Sequence, residues 1–292
     1  MSVNRVLFDP PGPRGRRRIR IIATIVVVMA MGLVALALQR FAASGQLAPG
    51  RWQPFTHWPY LRFLWEGLRG TLGATAVAAL FSFPLGAGVA VLRLSRNPTL
   101  RRLAAGYVEL FRSLPLLLLI FAFLLALPPL GLNLPIFWKL VVPIVMVNVA
   151  VLAEVFRAGV RALDRGQFEA AAAIGLTHWQ SMRIVVLPQA IRMMAPALVA
   201  QLVSLLKDST LGYVVSYPEL MKQANSLTVY THLLVQTFLI VACIYVAINL
   251  LLSQLAHWLE RRSQRRPRAA RPVPARADVQ VDAQAPTPQL VH

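Results

Sequence analysis

Long apolar stretches recur along the chain, and each is about long enough to cross a bilayer as a helix. The first has 18 residues without a charge, which corresponds to roughly 27 Å of helix. Six such stretches, each bounded by charge or proline, predict transmembrane helices at residues 21–38, 68–92, 108–127, 140–162, 191–206 and 233–255. The pattern therefore predicts an all-α, polytopic membrane protein with six transmembrane helices.

The fifth stretch is the most polar of the six. Four residues interrupt its apolar character, namely Arg192, Pro196, Gln201 and Ser204. A transmembrane helix tolerates such groups only against other protein or in contact with water. We therefore expect this helix to be buried within the bundle.

Composition supports a membrane protein and argues against other classes. The chain is 57% hydrophobic and only 14% charged, against about 25% charged residues in a typical soluble domain. Its net charge of +19 first suggests nucleic acid, but the arginines lie between and beyond the apolar stretches, which favours a membrane surface. Cys243 is the single cysteine and the histidines are dispersed, so we expect no disulfide, no metal site and no enzymatic centre.

The basic residues also predict the orientation. Of the 30 lysines and arginines, 23 lie in the N-terminal tail, the C-terminal tail and the second and fourth connections. The positive-inside rule then places both termini in the cytoplasm, as six crossings also require. We expect a basic cytoplasmic tail at residues 1–20, an extracytoplasmic connection at 39–64 and a disordered cytoplasmic tail at 263–292, with lipid contacts along the membrane.

The cytoplasmic connection at residues 163–188 is long enough to carry a function. Asp164 is suited to cap a helix, with Gln167 reaching back at the third position, and Gly175 supplies the left-handed residue that ends it. One face would combine Phe168, Ala171, Ala172 and Gly175, small enough for another surface to approach closely. The alternative is a surface helix that packs on its own bundle.

This connection also carries a specific resemblance. Glu169-Ala170-Ala171, then Gly175, Val185 and Leu187-Pro188 at the required spacing resemble the EAA signature of permease subunits of ABC importers. The segments 111–117 and 153–159 are similar to segments of polar amino acid importers. The segments 207–211 and 216–220 are most similar to those of glutamate and aspartate permeases.

The resemblance implies a type I ABC importer permease in a bacterial cytoplasmic membrane. Residues 65–262 would form its five-helix core, preceded by one additional N-terminal helix. It further implies three kinds of partner, which are cytoplasmic ATPase subunits that hold ATP and Mg, a second permease copy or sister, and an extracytoplasmic solute-binding protein. This chain would bind no cofactor of its own. The residues implied to couple it to the ATPase are Glu169, Ala170, Ala171, Gly175, Leu187 and Pro188.

Polar residues inside the spans are the candidates for the translocation pathway. Glu154 lies near the middle of the fourth span, where a charge costs roughly 2.5–3.5 kcal/mol, so it should face the bundle interior with Arg157 as an i+3 partner. Asn148 lies on another face of that helix, and we assign it to interhelical hydrogen bonding. Further pathway candidates are Arg112, Gln201, Ser204, Lys207 and Asp208. Gly67, Gly70 and Gly73 indicate close helix packing.

The main alternative is an ion-coupled secondary amino acid carrier. Such a carrier concentrates its charges in discontinuous helices, whereas here only Glu154 lies deep in a span. A membrane enzyme and a passive scaffold are the remaining alternatives. An enzyme would need a polar catalytic constellation on one side of the membrane, and the sequence contains none.

Overall fold

The computed structural model describes residues 12–177 and 180–264, and helices account for nearly all of them. The α-helices of six or more residues are, in chain order, α1 (Pro13–Ala43), α2 (Trp58–Arg93), α3 (Pro98–Ser113), α4 (Leu116–Phe121), α5 (Ile136–Arg161), α6 (Arg165–Ala173), α7 (Leu187–Asp208), α8 (Leu220–Thr231) and α9 (Leu234–Gln264). Shorter helical turns occur at Pro49–Trp52, Gln53–Thr56, Pro128–Leu130 and Ser209–Tyr213. Two π-helical turns, Ala122–Ala126 and Ser181–Val186, extend α4 and precede α7. The described residues contain no strand, which confirms the all-α prediction.

Five of these helices are long and apolar enough to cross a membrane, and α3 and α4 together make a sixth candidate. The prediction of one continuous third helix at residues 108–127 is wrong, because the axes of α3 and α4 differ by 94°. The break has a local cause. Leu114 is extended (φ −85°, ψ 128°), since the ring of Pro115 disfavours the helical region for the residue before it.

Several helices extend beyond their predicted ends. Residues 13–20 belong to α1 and 58–67 to α2, so the predicted tail and the predicted connection are each shorter than expected. At the other end α9 reaches Gln264. Arginine is a good helix former and is tolerated at the headgroups, so counting uncharged residues underestimates helix length. The remaining parts of both predicted tails, residues 1–11 and 265–292, lie outside the described residues.

The helices α2, α5 and α7 form the centre of the bundle. Their largest core cluster combines small residues of α2 with large residues of α5 and α4, including Ala74, Ala78, Ile120, Leu140 and Ile144. Small side chains let the backbones approach closely, as is usual for helices packed in membranes.

The helix α1 stands apart from this bundle. None of its central apolar window is buried. A polar contact ties its C-terminal end to the protein, because the buried Gln236 of α9 donates to the Gln46 carbonyl oxygen at 2.6 Å. Arg51 donates to the Gln46 side chain at 2.8 Å. The connection after α1 is thus fixed to the bundle while the helix itself is left free to contact lipid.

The helix α7 is less enclosed than its polarity predicts. Leu205 and Leu206 are buried, and Gln201 and Ser204 are half-buried. Arg192 and Pro196 are exposed, so the expectation of burial within the bundle is wrong for these two residues. The reason is that the polar side chains of α7 are distributed around the helix, whereas the other helices of this chain pack against only one of its sides.

Candidate functional site

The predicted cytoplasmic helix is present as α6, and both of its ends are capped. Asp164 accepts a hydrogen bond from the Gly166 amide at 2.9 Å. At the other end Gly175 has a φ of +79°, and the Leu176 amide donates to the Ala171 carbonyl at 3.1 Å. This is the Schellman arrangement, in which a glycine adopts the left-handed conformation that other residues disfavour. The prediction that Gly175 ends the helix is confirmed.

The side chain of Gln167 does not complete a capping box with Asp164. Its oxygen instead accepts a hydrogen bond from Gln189 Nε2 at 3.0 Å. Gln189 lies in the first turn of α7, so this bond links the short helix to a membrane-spanning one. Leu187 and Pro188 begin α7 and are exposed.

The residues of the EAA segment divide between two faces of α6. Ala171 is buried and Phe168 is half-buried, so both face the bundle. The other members of the segment are exposed, namely Glu169, Ala170, Ala172, Ala173, Ile174 and Gly175. Phe168, Ala171 and Ala172 lie on one side of α6, as their i, i+3 and i+4 spacing predicts, but Ala172 and Gly175 are exposed, so only Ala171 and Phe168 of the predicted face are covered by this chain. Ile174 is 76% exposed, which is unusual for a large apolar residue on a polar loop.

An ion-paired cluster joins α2 to α5. Glu154 pairs with Arg157 one turn later, where Arg157 Nε lies 3.1 Å from Glu154 Oε2, and also with Arg93 at the end of α2. The predicted Arg157 partner is confirmed, and Arg93 is an additional partner that the sequence analysis missed. The sequence did give one indication for Arg93, because it directly follows the second predicted span on the predicted cytoplasmic side, where Arg157 also lies. Arg112 lies within electrostatic reach of the same carboxylate.

Glu154 is not at mid-span as predicted, since α5 ends only seven residues later at Arg161. The insertion cost of a charge falls toward the membrane surface, and two arginines offset what remains. The three side chains are between 17% and 25% exposed. This geometry is that of a clamp that fixes the ends of α2 and α5 to each other.

A second polar cluster links α5 to α7. Asn148 is almost fully buried, and its Nδ2 donates to Asp208 Oδ2 at 3.0 Å and to the Ile144 carbonyl at 2.9 Å. Gln201 donates to the Asn148 side-chain oxygen. The assignment of Asn148 to interhelical hydrogen bonding is confirmed. Along α5 it lies six residues, or about 9 Å, from Glu154, so the two polar clusters are separate.

The second cluster carries a negative charge without a cationic partner. Among the described residues no lysine or arginine forms an ion pair with Asp208. Lys207 is exposed and Ser204 is half-buried. The Asp208 carboxylate can accept hydrogen bonds from an ammonium group, and the second N–H of the Gln201 amide can donate to a carboxyl or amide oxygen.

Two of the three glycines predicted to allow close packing do so. A Cβ on Gly67 would lie 2.7 Å from Gln223 Cγ, and one on Gly70 would overlap the Pro218 carbonyl oxygen. Nothing lies within 4 Å of a Cβ on Gly73. The first two glycines thus provide the surface of α2 on which the start of α8 is seated.

The chain matches a known protein family over most of its length. Residues 82–265 match the family described as the binding-protein-dependent transport system inner membrane component. The chain belongs to this family. It is the membrane subunit of an ABC importer, so ATP hydrolysis belongs to a separate subunit and this chain is not itself an enzyme. Membership also disfavours the secondary-carrier alternative and confirms a multi-pass plasma membrane protein.

Several relatives of this permease have been described. The probable glutamine ABC transporter permease protein GlnP of Bacillus subtilis is 38% identical over 70% of this chain and 94% of its own length. The glutamate/aspartate import permease protein GltK of Escherichia coli O157:H7 is 36% identical over 70% of this chain and 95% of its own.

Solved structures agree with the observed fold. A crystal structure of an amino acid ABC transporter with histidines contains a chain that is 33% identical, with a TM-score of 0.67, covering 70% of this chain and 95% of that one. A bacterial alginate ABC transporter shares the fold at 14% identity and a TM-score of 0.60, covering 85% of this chain and 96% of that one. The type I ABC importer permease fold is therefore confirmed.

Proposed function

We propose that this permease imports glutamine, or an amino acid of similar size and polarity, with energy supplied through α6 by a separate ATPase. The observation that carries the cargo proposal is the cluster of Asn148, Gln201 and Asp208. Glutamine and glutamate permeases among the relatives support the same class of substrate. Both termini would lie in the cytoplasm, as the distribution of arginine indicates.

Charge favours glutamine over an acidic amino acid at this cluster. Asp208 supplies a negative charge that suits the ammonium group of any amino acid, while Gln201 has a second N–H that suits its carboxylate or side-chain oxygen. Both N–H groups of Asn148 already donate to Asp208 and to the Ile144 carbonyl, so Asn148 holds Asp208 in place. Glutamine has no net charge, so it meets no repulsion from Asp208. Glutamate or aspartate would bring a second negative charge close to the first without a paired cation.

Glutamate or aspartate is the second candidate, and it is the one that the sequence favoured. The segment 207–211 resembles acidic amino acid permeases, and the exposed ammonium of Lys207 lies beside Asp208 in the chain. Lys207 would then provide the positive charge that the buried cluster lacks, whereas Arg112, the other cationic pathway candidate, lies within reach of Glu154 in the first cluster. Ser204, one turn before Asp208 on α7, would contribute a hydroxyl in either case.

The outward face of α6 is the surface proposed to dock on the ATPase, which holds ATP and Mg. It presents Glu169 for a basic partner group, and Ala170, Ala172 and Gly175 leave room for close approach. Ile174 adds exposed apolar area. Ala171 instead anchors the helix to its own bundle, and the Gln167 to Gln189 bond passes movement of α6 to the start of α7 near Leu187 and Pro188.

The remaining partners follow from the family. Its members work with a binding protein outside the membrane and with a second permease, here a second copy or a sister chain. The clamp formed by Glu154 with Arg93 and Arg157 would keep the cytoplasmic ends of α2 and α5 moving as one unit during transport.

Transport by the reconstituted complex tests the cargo proposal. We expect ATP-dependent uptake of glutamine to exceed uptake of glutamate, and Asp208→Asn to reduce uptake at least tenfold while the complex stays assembled. Glu66→Gln is the matched control, because Glu66 is an exposed acid that pairs with Arg62. Preferred uptake of glutamate would support the second candidate, and uptake driven by an ion gradient without ATP would refute both.

Co-purification tests the docking face. Gly175→Asp places a charge and a side chain on the outward face of α6, so the ATPase should be lost from the purified complex. Gly50→Asp is the control, since Gly50 is exposed with nothing within 4 Å of a Cβ and lies far along the chain from α6. Retention of the ATPase by a folded Gly175→Asp protein would contradict the proposed docking.

A further inference from the structure

Glu219 is a fully buried carboxyl group at the start of α8, and the proposed function makes no use of it. It caps α8 by accepting hydrogen bonds from the amides of Met221 at 2.8 Å and Lys222 at 2.6 Å. The hydroxyl of Tyr245, on α9, donates to it at 3.3 Å. A carboxyl side chain is almost never fully buried unless it is paired.

Besides α9, two elements pack against this carboxyl, namely α2 and the turn Ser209–Tyr213. On α2, Thr71 accepts a hydrogen bond from the Leu220 amide at 3.0 Å, and Gly70 is in contact with Pro218. In the turn Ser209–Tyr213, Gly212 lies so close that its Cβ would be 2.9 Å from Glu219 Cγ. The junction therefore holds together only while α2, α8 and α9 stay closely packed.

The groups that face Glu219 are hydroxyls, amides and glycines. Tyr217 and Tyr245 are the titratable ones, and both are phenols. Lys222 is the nearest cation in sequence, but within the described part of the chain it forms no ion pair with Glu219. Burial therefore opposes ionisation of Glu219, and only hydrogen bonds from uncharged donors, the two α8 amides and the Tyr245 hydroxyl, favour it.

We propose that Glu219 is a positioning residue that makes the attachment of α8 to α2 and α9 depend on protonation. In its neutral form the carboxyl fits the closed junction. In its ionised form the carboxylate is stabilised by hydration only when the junction opens. Deprotonation therefore weakens the packing of α8 on α2 and α9. Because α8 lies between α7 and α9, it faces the extracytoplasmic side in the proposed orientation, and that placement alone rests on the proposed function.

The direction of the pH effect follows from linkage. Burial raises the pKa of Glu219 from 4.5 to about 7. Between these values the folded protein holds a proton that the unfolded chain has released, so the folding equilibrium should weaken by up to tenfold for each unit of rising pH. Above about pH 7 both states are ionised and this dependence ends.

Thermal unfolding of the full-length protein in detergent between pH 5 and 8 tests the proposal. The wild-type protein should lose stability across this range relative to Glu219→Gln, whose amide oxygen still accepts from one of the two α8 amides and whose side chain does not ionise. Glu66→Gln should follow the wild-type curve, because Glu66 is exposed. Identical pH curves for wild type and Glu219→Gln would overturn the proposal.

A second variant keeps the test decisive if Glu219→Gln does not fold. Tyr245→Phe removes one donor to the ionised carboxylate, which raises the pKa of Glu219 in the folded protein further. The upper end of the pH interval in which stability falls should therefore move upward. Hydrogen exchange in residues 220–231, corrected for its intrinsic pH dependence, should rise over the same interval in the wild-type protein. Unchanged exchange in α8 together with an unshifted transition in Tyr245→Phe would equally refute the proposed protonation-dependent attachment of α8, whatever the cargo is.

Discussion

Replacing Gly86 with alanine tests the close approach of α2 and α5. A Cβ at this position would lie 2.7 Å from Leu152 Cβ and 3.3 Å from the Val149 carbonyl oxygen. Both atoms are fixed close to the α5 backbone, so a side-chain rotation cannot relieve the contact. The two helices must separate locally, and overpacking of this kind costs about 1–3 kcal/mol.

Gly88 provides a matched control two residues later on the same helix. A Cβ there meets nothing within 4 Å. Alanine favours a helix over glycine by about 0.8–1 kcal/mol, and this gain applies at both positions. We therefore expect Gly88→Ala to be neutral or slightly stabilising and Gly86→Ala to lie about 1–3 kcal/mol below it.

We would measure the free energy of unfolding by adding a denaturing detergent to each variant in a mild detergent. The two free energies give this difference directly. Because the helix-propensity gain cancels between the two variants, the difference reports the contact between α2 and α5. Equal stability of Gly86→Ala and Gly88→Ala would refute the inferred approach of these helices. A loss in both variants would instead point to a requirement for glycine throughout this part of α2.

Two further predictions concern single polar groups. Glu154→Gln leaves Arg93 and Arg157 facing each other without a carboxylate, so we expect a loss of about 1–2 kcal/mol in the same unfolding assay; wild-type stability would show that the clamp contributes nothing. Asp164→Ala removes the N-cap of α6 and should cost about 0.5–2 kcal/mol locally, seen as faster hydrogen exchange in residues 165–173. Asp164→Asn keeps a capping oxygen and should exchange like the wild type, and equal exchange in both variants would argue against the cap.

The helical spans could be predicted from sequence because lipid leaves few alternatives. A long apolar segment in a bilayer must satisfy its own backbone hydrogen bonds, so it forms a helix wherever it is long enough. The ends of α6 were predictable for a similar reason, since Asp164 and Gly175 act on neighbouring backbone groups. The break at Pro115 could have been predicted, because proline disfavours the helical region for the residue before it. The apolar residues that surround Pro115 at 114–127 instead favoured one continuous span.

Contacts between distant segments could not be read from the chain. Arg93 and Glu154 are 61 residues apart, and only the packing of α2 on α5 brings them together. Asn148 was recognisable as a polar residue that needs a partner, but its partners Gln201 and Asp208 depend on how α7 crosses α5. Glu219 entered the sequence analysis only as part of the segment 216–220 that resembles glutamate and aspartate permeases, whereas the structure buries it completely.

Local chemistry and the thickness of the bilayer fix the number of apolar segments, the motif on α6 and the residues that cap it, so these features could be read from the chain alone. Which side chains meet, which face of α6 is outward and which carboxyl is buried depend on the packing of distant helices. The reason is physical: burial and pairing depend on where other helices lie, and several crossing geometries are compatible with one pattern of apolar residues.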